Sequence, residues 1–390
     1  MKFFFLSSFA HLALDSASQR VSGGAELQVA LLGKALARLG HEVVFMGSDM
    51  PRSHPPVLDG VRLLRGGRFH TGGLWDTAFA FPCVINALNQ EKPDCVLILG
   101  WTTWLYFLLQ LRSLFGFRLV FICGSDTEIN GEFRCTYPLR GALFEKAVQA
   151  ADLRFAMSKY QETLFQQCNM KCSLYRNLIL PRTSPRTAHK NIDLLWVARC
   201  QAFKQPHRFL DLIEKLPHAR CQMICPREDV RLWESVRKRA KKLSHLTFLE
   251  KVPYHQIQKH YDAAKIFVNT SSFEGWPNSF IQAGLASTAL LSLHINPDEL
   301  FHKYSPGKCA EGDCARLVEY AQHMLADSTA LEVMQKGAEN FVAELHNNEN
   351  NVRLFLEGLQ TDPAEPAPPL LEQLTNSYQI GVAACGLCLL

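Results

Sequence analysis

The 390-residue sequence contains no G-x-G-x-x-G turn, so nothing in it favours a dinucleotide cofactor. Its one C-x-x-C, Cys385 to Cys388, has no second pair and no histidine partner at zinc-finger spacing. A structural metal or dithiol centre therefore lacks its ligand set. A membrane span is missing too. The longest apolar run, Val96 to Leu111, contains Gly100, Thr102, Thr103 and Gln110 and stops at Arg112, short of the roughly 20 residues that cross a bilayer. It reads as a buried strand followed by an apolar helix. The N-terminal stretch MKFFFLSSFAHLAL is broken by Ser7, Ser8 and His11, with no small-residue cleavage site before Gly23. It reads as a first strand rather than a signal peptide. Charge imbalance is small, 41 basic against 37 acidic residues for a net +4. That is too little to argue for a nucleic-acid partner, and it is compatible with an anionic substrate or a weak contact at a membrane surface.

What is present describes a globular chain. Apolar residues make up 47% and charged residues 20%, and the length suits two α/β domains, each with its own core. The 13 cysteines are scattered, several within apolar runs such as Val120 to Cys123 and Cys221 to Cys225. That usage reads as reduced, buried thiols of a cytoplasmic protein.

The chain is organised around Thr270 to Leu293. Ile266 to Val268 reads as a strand, Ser271 to Asn278 as a polar loop, and Pro277 to Ala286 as a helix opened by proline. Ala289 to Leu293 reads as the next buried strand. A glycine-bearing loop feeding a helix mouth presents free N–H groups and the positive end of the helix dipole, a place for an anion and most simply a phosphate. Glu274 lies in that loop, and a carboxylate beside a phosphate site is aimed at hydroxyls, as in a sugar.

Residues Glu274 through Ser279, E-G-W-P-N-S, resemble the E-G-(F/L/W)-P-N-(S/T) signature of retaining glycosyltransferases of family 4. The resemblance implies α/β architecture of the GT-B kind, two Rossmann-like parallel-sheet domains facing a central cleft. In that family the signature is half of an E-x7-E motif, and here the second position is Gln282. The resemblance makes Gly275, Trp276, Pro277, Asn278, Ser279 and Gln282 substrate-binding positions. The Gln282 contact to the ribose is placed in doubt by the missing charge.

Other segments carry the same resemblance in the family's order. Gly23-Gly24-Ala-Glu, followed by a helical apolar pattern to Leu39 and the strand Val43 to Met46, is similar to the family's opening, where paired glycines let the backbone approach the donor sugar and diphosphate. Strands are expected at Cys95 to Leu99, Arg118 to Cys123 and Leu153 to Met157, with helices at Leu139 to Ala150 and Lys159 to Gln167. This is the alternation of a parallel sheet covered on both faces. Ligands in such sheets lie beyond the carboxyl ends. That puts Gly124, Ser125 and Asp126 in the cleft and Asp94 away from it. Asp126 is a candidate catalytic residue by resemblance, and a turn or cap role stays open for it.

The segment Ala198 to Gln205, holding Arg199 and Lys204, resembles the family's G-R-x-x-x-x-K-G. Two such cations can close on a dianion from two sides, one as a fork and one as a point charge. Val252, after the strand Leu246 to Glu250, resembles the position whose backbone holds the nucleobase. The basic run Arg237 to Lys242 reads as a solvated helix face, ahead of a contact with anionic lipid or phosphate. Trp101, Trp104 and Tyr106 are candidates to line an apolar acceptor site, but core packing explains them more cheaply.

The resulting domain expectation is an acceptor domain over residues 1–180, a linker over 181–190, a nucleotide-sugar domain over 191–345, a terminal helix over 346–360 returning to the first domain, and a poorly ordered tail over 361–390. By resemblance the function is transfer of a sugar from a UDP- or GDP-linked donor to a glycan or lipid-linked acceptor, in cell-surface polysaccharide or glycoconjugate synthesis, in the cytoplasm or at the inner face of the membrane. It implies no cofactor and no metal, with Glu274, Arg199, Lys204 and Asp126 as the catalytic set. No D-x-D pair stands at a strand end, and the two cations supply the charge a divalent ion supplies elsewhere. A non-catalytic binding subunit of the same fold and a nucleotide-sugar epimerase remain alternatives.

Overall fold

A strand apolar at four successive positions needs cover on both faces, and β1 (Lys2–Leu6) has it from Phe3 to Leu6. Phe4 packs with Val44, Val96 and Phe121 on one side. Phe3 and Phe5 pack with Val43, Phe45, Leu97 and Val120 on the other. The computed structural model describes residues 1–14, 23–48, 50, 55–67, 74–180, 182 and 189–361. The expectations for the loop before Gly23, for most of the 181–190 linker and for the tail beyond Thr361, with Cys385 and Cys388, lie outside the described residues.

β1 stands inside an eight-stranded sheet with β2 (Glu42–Gly47), β3 (Val57–Leu58), β4 (Val61–Arg65), β5 (Cys95–Leu99), β6 (Arg118–Ile122), β7 (Leu153–Ala156) and β8 (Ser173–Leu174). The order is β3-β4-β2-β1-β5-β6-β7-β8. Phe5 registers with Phe45 on one side and Leu97 on the other, both parallel. β3 and β4 form an antiparallel edge, which the sequence reading missed because β3 is two residues long. The reading also missed the helix Leu74–Glu91, which carries Pro82 inside it.

The second sheet has six strands, β9 (Ile192–Val197), β10 (Cys221–Ile224), β11 (Leu246–Leu249), β12 (Ala264–Asn269), β13 (Ala289–Ser292) and β14 (Gly307–Cys309), in the order β11-β10-β9-β12-β13-β14. All its recorded pairs are parallel. Leu194, Trp196, Met223, Val268 and Leu291 fill one face, and Leu195, Ile224, Phe267, Phe280 and Leu290 the other. Strand order reverses beside β1 in the first sheet and beside β9 in the second, and such switch points open crevices at the carboxyl ends.

The two halves are stitched together by polar groups that burial leaves no other partner. Gln28, held within the first half by the Leu178 carbonyl at 3.0 Å, donates across to Asn278 Oδ1 at 2.6 Å. Asn177 donates to the Trp276 carbonyl at 3.2 Å. Arg176 pairs with Asp298 at 2.9 Å, both side chains buried. The last described helix, Asn348–Gly358, lays Phe355 against Phe155 in the first half, ring centroids 4.7 Å apart. Every described cysteine is a free thiol, but Cys83, Cys135 and Cys168 are exposed rather than buried. Among the described residues no helix is long and apolar enough to cross a membrane.

Candidate active site

β9 and β12 are neighbours, so the loops leaving their carboxyl ends must meet. Thr270 donates to the Lys204 carbonyl at 2.7 Å and accepts from Trp196 Nε1 at 2.9 Å. The Ser272 N–H reaches the Phe203 carbonyl at 2.8 Å, and the Phe203 and Phe273 rings stack at 4.6 Å. These bonds fix the segment after Val197 against the segment after Asn269. The helix Asn278–Leu285 then begins. Pro277 stands at its cap rather than as its first helical residue, and no side chain caps it. The Phe280 N–H is taken by the Pro277 carbonyl at 3.0 Å, which leaves the N–H groups of Asn278 and Ser279 at the cavity wall.

These loops and the start of the helix Gly24–Arg38 enclose a cavity of about 360 Å³ between the halves. Gly23, Gly24, Arg199, Lys204, Val252 and Gln282 line it, together with Glu274 through Ser279. Two glycines are required by close approach. A Cβ on Gly24 would lie 2.5 Å from Asn278 Nδ2, and one on Gly275 would lie 2.6 Å from the Gly124 carbonyl oxygen. Each is a contact between the two halves.

The charges in the cavity are arranged in pairs. Lys204 Nζ is ion-paired with Glu274 Oε1, and both are largely buried. Ser271 donates to the same carboxylate oxygen at 2.7 Å. Lys204 also lies over the Phe203 ring, 4.7 Å from its centroid. Arg199, at the rim, pairs with Glu228 at 3.2 Å. Glu274 thus faces a cation rather than solvent, a contact that spacing alone did not reveal. Gln282 is inside the helix as expected, and its carbonyl accepts from Gln258 at 3.0 Å.

Trp276 and Asp126 sit differently from the other expected residues. Trp276 lines the cavity, but its ring is buried in the core of the second half, under Arg176 at 5.0 Å and beside the His346 ring at 5.2 Å. Its indole is packing, set by the apolar face of the helix that follows. Asp126 does not line this cavity. It opens into a neighbouring one of about 530 Å³ that shares Phe273, Glu274 and Gly275, because the chain turns into a short 3-10 helix at Asp126–Glu128. Gln161 donates to its Oδ1 at 3.0 Å. Burial pushes its carboxyl up to about 6, with Asp298 and Glu132 adding to the rise and Gln161 opposing it.

Sequence reasoning missed Glu128. It is buried at the crossing of the β5 and β6 ends, accepting from the Trp101 N–H at 2.9 Å and the Gly124 N–H at 2.8 Å. A single acidic residue in a turn carries no periodic signal. For Trp101 the sequence reading weighed an acceptor-site role and preferred core packing. Trp104 is core, but Trp101 is 37% exposed. Trp101 lines a third cavity of about 790 Å³ along the ends of β1 and β5, with Phe133, Tyr137 and Phe203. Among the described residues no group of three or more His, Cys, Asp or Glu could hold a metal ion.

Comparison with known proteins bears on the same halves. The profile of Glycosyltransferase Family 4 matches residues 22–173, and that of Glycosyl transferases group 1 matches residues 191–327. A search of curated protein sequences finds no significant match. Among solved structures, sucrose-phosphate synthase from Thermosynechococcus elongatus is similar at a TM-score of 0.74 and 16% identity, covering 97% of this chain and 100% of that one. HepE of Anabaena, in complex with UDP and glucose, is similar at a TM-score of 0.71 and 15% identity, covering 93% and 100%. WaaG, a glycosyltransferase involved in lipopolysaccharide biosynthesis, gives 0.67 and 14%, covering 92% and 98%. At these identities the likeness carries the fold, which is GT-B.

Proposed function

Because the chain belongs to glycosyltransferase family 4, whose members are retaining enzymes using nucleotide-sugars, we propose that it moves a hexose from a UDP-linked donor to a hydroxyl of a glycan or lipid-linked glycan, without a metal ion. The observation that carries this reading is the single cavity that gathers Lys204, Arg199, Glu274, the helix mouth at Asn278 and the glycines of the facing half. The choice of UDP is supported by HepE, whose structures include complexes with UDP-glucose. A role in cell-surface polysaccharide or glycoconjugate synthesis, at the inner face of the membrane, is supported by the likeness to WaaG.

The chemistry assigns each group a task. The bond that breaks joins the anomeric carbon to a phosphate oxygen, so negative charge grows on the diphosphate and positive charge on the sugar ring. Lys204, Arg199 and the open N–H groups of the helix stabilise the departing diphosphate. Binding of that dianion draws Lys204 away from Glu274, and the freed carboxylate then accepts hydrogen bonds from sugar hydroxyls. The acceptor oxygen attacks the face the phosphate is leaving, and a phosphate oxygen takes its proton. Configuration is thereby retained without a carboxylate nucleophile. Val252 holds the base by its backbone, and Gln282 reaches the ribose as a neutral partner. Asp126, in the adjoining cavity, borders the transferred sugar.

The acceptor is assigned to the cavity beside Trp101. Half-exposed aromatic faces offer stacking to sugar rings, and Ser7, Ser8, Thr102 and Thr103 add hydroxyls around them. A thermal-shift panel of UDP, GDP, ADP and their sugars tests the donor, since a ligand that binds only the folded chain raises its melting temperature. UDP and a UDP-hexose are expected to give the largest shifts, with slow release of free hexose from the donor. No shift with any nucleotide would overturn the reading, and release of an epimerised nucleotide-sugar would redirect it.

A further inference from the structure

We propose that Glu128 is a positioning residue: its carboxylate ties the loop after β5 to the loop after β6, setting the Trp101 wall and the Gly124 carbonyl that faces Gly275. The proposal rests on the transferase reading for its catalytic consequence, but not for the clamp itself.

The geometry is a crossing of two strand ends. Gly100 continues β5 with φ of 77° and bonds through its N–H to the Ile122 carbonyl at 2.9 Å. Beyond that last ladder bond the two loops part, and Glu128 bridges them. The carboxylate accepts from Trp101 N on one loop and Gly124 N on the other. A Cβ on Gly100 would lie 3.3 Å from Glu128 Oε1, and one on Gly124 would lie 3.2 Å from Gly100 Cα. A side chain at Gly100 would thus crowd the carboxylate in a left-handed backbone that favours glycine, and one at Gly124 would crowd the Gly100 backbone beside it. On the far side of the clamp are the two surfaces that matter. Trp101 reaches solvent, its ring 5.0 Å from Phe133 at the acceptor-side cavity. The Gly124 carbonyl abuts Gly275, in the loop of Glu274. One buried carboxylate therefore fixes the acceptor wall and the contact between halves together.

An ionised carboxylate can accept both N–H bonds at full strength, while a protonated one turns one oxygen into a donor. Burial raises Glu128 to about 7, against the opposing effect of the Gly124 and Trp101 N–H groups. Its turn packs against the helix Glu132–Thr136, which carries the exposed Glu132, Arg134 and Cys135. Cys123, at the end of β6, stays protonated because burial raises its thiol. Asp126, on the same turn, is raised to about 6 by burial and faces Asp298 of the second half. The loop after β5 presents only Trp101, Thr102 and Thr103. The clamp is thus tight above neutral pH and loosens below it.

The test reads Trp101 directly. Acrylamide quenching is measured across pH 5.5 to 8.5 for the full chain, with a Trp101→Phe variant subtracted to isolate that ring. The difference signal is expected to titrate close to neutral pH in the wild type and to be flat in Glu128→Gln, which keeps the shape but offers one N–H group another donor. A flat wild-type signal, or an equal titration in Glu128→Gln, overturns the proposal. The wild-type arm stands even where Glu128→Gln does not fold. With UDP-glucose as probe, donor turnover in Glu128→Gln is expected to fall about tenfold, the scale of one charge-assisted bond, and to lose the acidic limb of its pH profile. Its UDP thermal shift is expected to stay unchanged. A turnover equal to wild type with an intact limb also overturns it. A wild type inert towards every nucleotide-sugar would sink the transferase reading and leave the quenching result to decide the clamp.

Discussion

Replacing Lys204 by alanine removes three interactions at once. The ammonium is the ion-pair partner of Glu274, it lies over the Phe203 ring, and it faces the cavity assigned to the diphosphate. Its side chain is 17% exposed and that of Glu274 15%, so water compensates only in part. In the free protein the variant leaves Glu274 with the Ser271 hydroxyl as its remaining side-chain partner. The expected loss of stability is about 1–3 kcal/mol, the scale of an unmatched, largely buried polar group. Adding Glu274→Gln should return part of that loss by removing the unpaired charge. In catalysis the charge acts most on the diphosphate as it departs, so kcat should fall more than the donor KM rises. The drop should be about 10²- to 10³-fold, the effect of one preorganised charge donor. Initial rates with a radiolabelled UDP-hexose, over a range of donor concentrations, separate the two constants. Lys204→Arg, keeping charge but not shape, should lie between. Turnover in Lys204→Ala within about threefold of wild type would refute the reasoning, since a transition-state contact cannot be removed so cheaply.

Other outcomes follow from the same geometry. Gln282→Ala should weaken UDP binding by about 1 kcal/mol, the net worth of one neutral hydrogen bond, and Gln282→Glu should be tolerated; calorimetric titration with UDP checks both. Arg176→Ala leaves the Asp298 carboxylate buried with the Tyr160 N–H at 3.1 Å, and urea unfolding should show a loss of about 3–5 kcal/mol. Unchanged unfolding would mean the pair is solvated in solution. Asp126 and Glu128 bind their protons more tightly folded than unfolded, because burial raises both. Their contribution to stability is therefore largest at acid pH and declines as pH rises from the ordinary carboxylate range towards about 6 and 7, the two values they reach. Melting curves across that window should be less steeply pH-dependent in Glu128→Gln. Transfer should persist in EDTA; full loss restored by Mn²⁺ or Mg²⁺ would contradict the assignment of charge stabilisation to Lys204 and Arg199.

The sequence by itself determined most of the secondary structure and the order of the motifs. Runs such as Phe3 to Leu6 and Ile266 to Val268 are apolar without alternation, which suits strands covered on both faces. Helices such as Lys159–Gln167 were legible from local pattern. The E-G-W-P-N-S loop and the Arg199–Lys204 segment were legible because both follow strand ends, and parallel topology places strand ends together. What a motif cannot state is which partner each side chain meets. Only tertiary structure decided that Glu274 faces Lys204, 70 residues earlier, and that Gly24 must be small because Asn278, from the other half, stands against it. The Trp276 ring turned to the core and Asp126 to a second cavity for the same reason: direction at a strand end is set by what packs there. Glu128 was invisible in sequence, since its value lies in two N–H groups from the loops after different strands, and non-local pairing leaves no period in the chain.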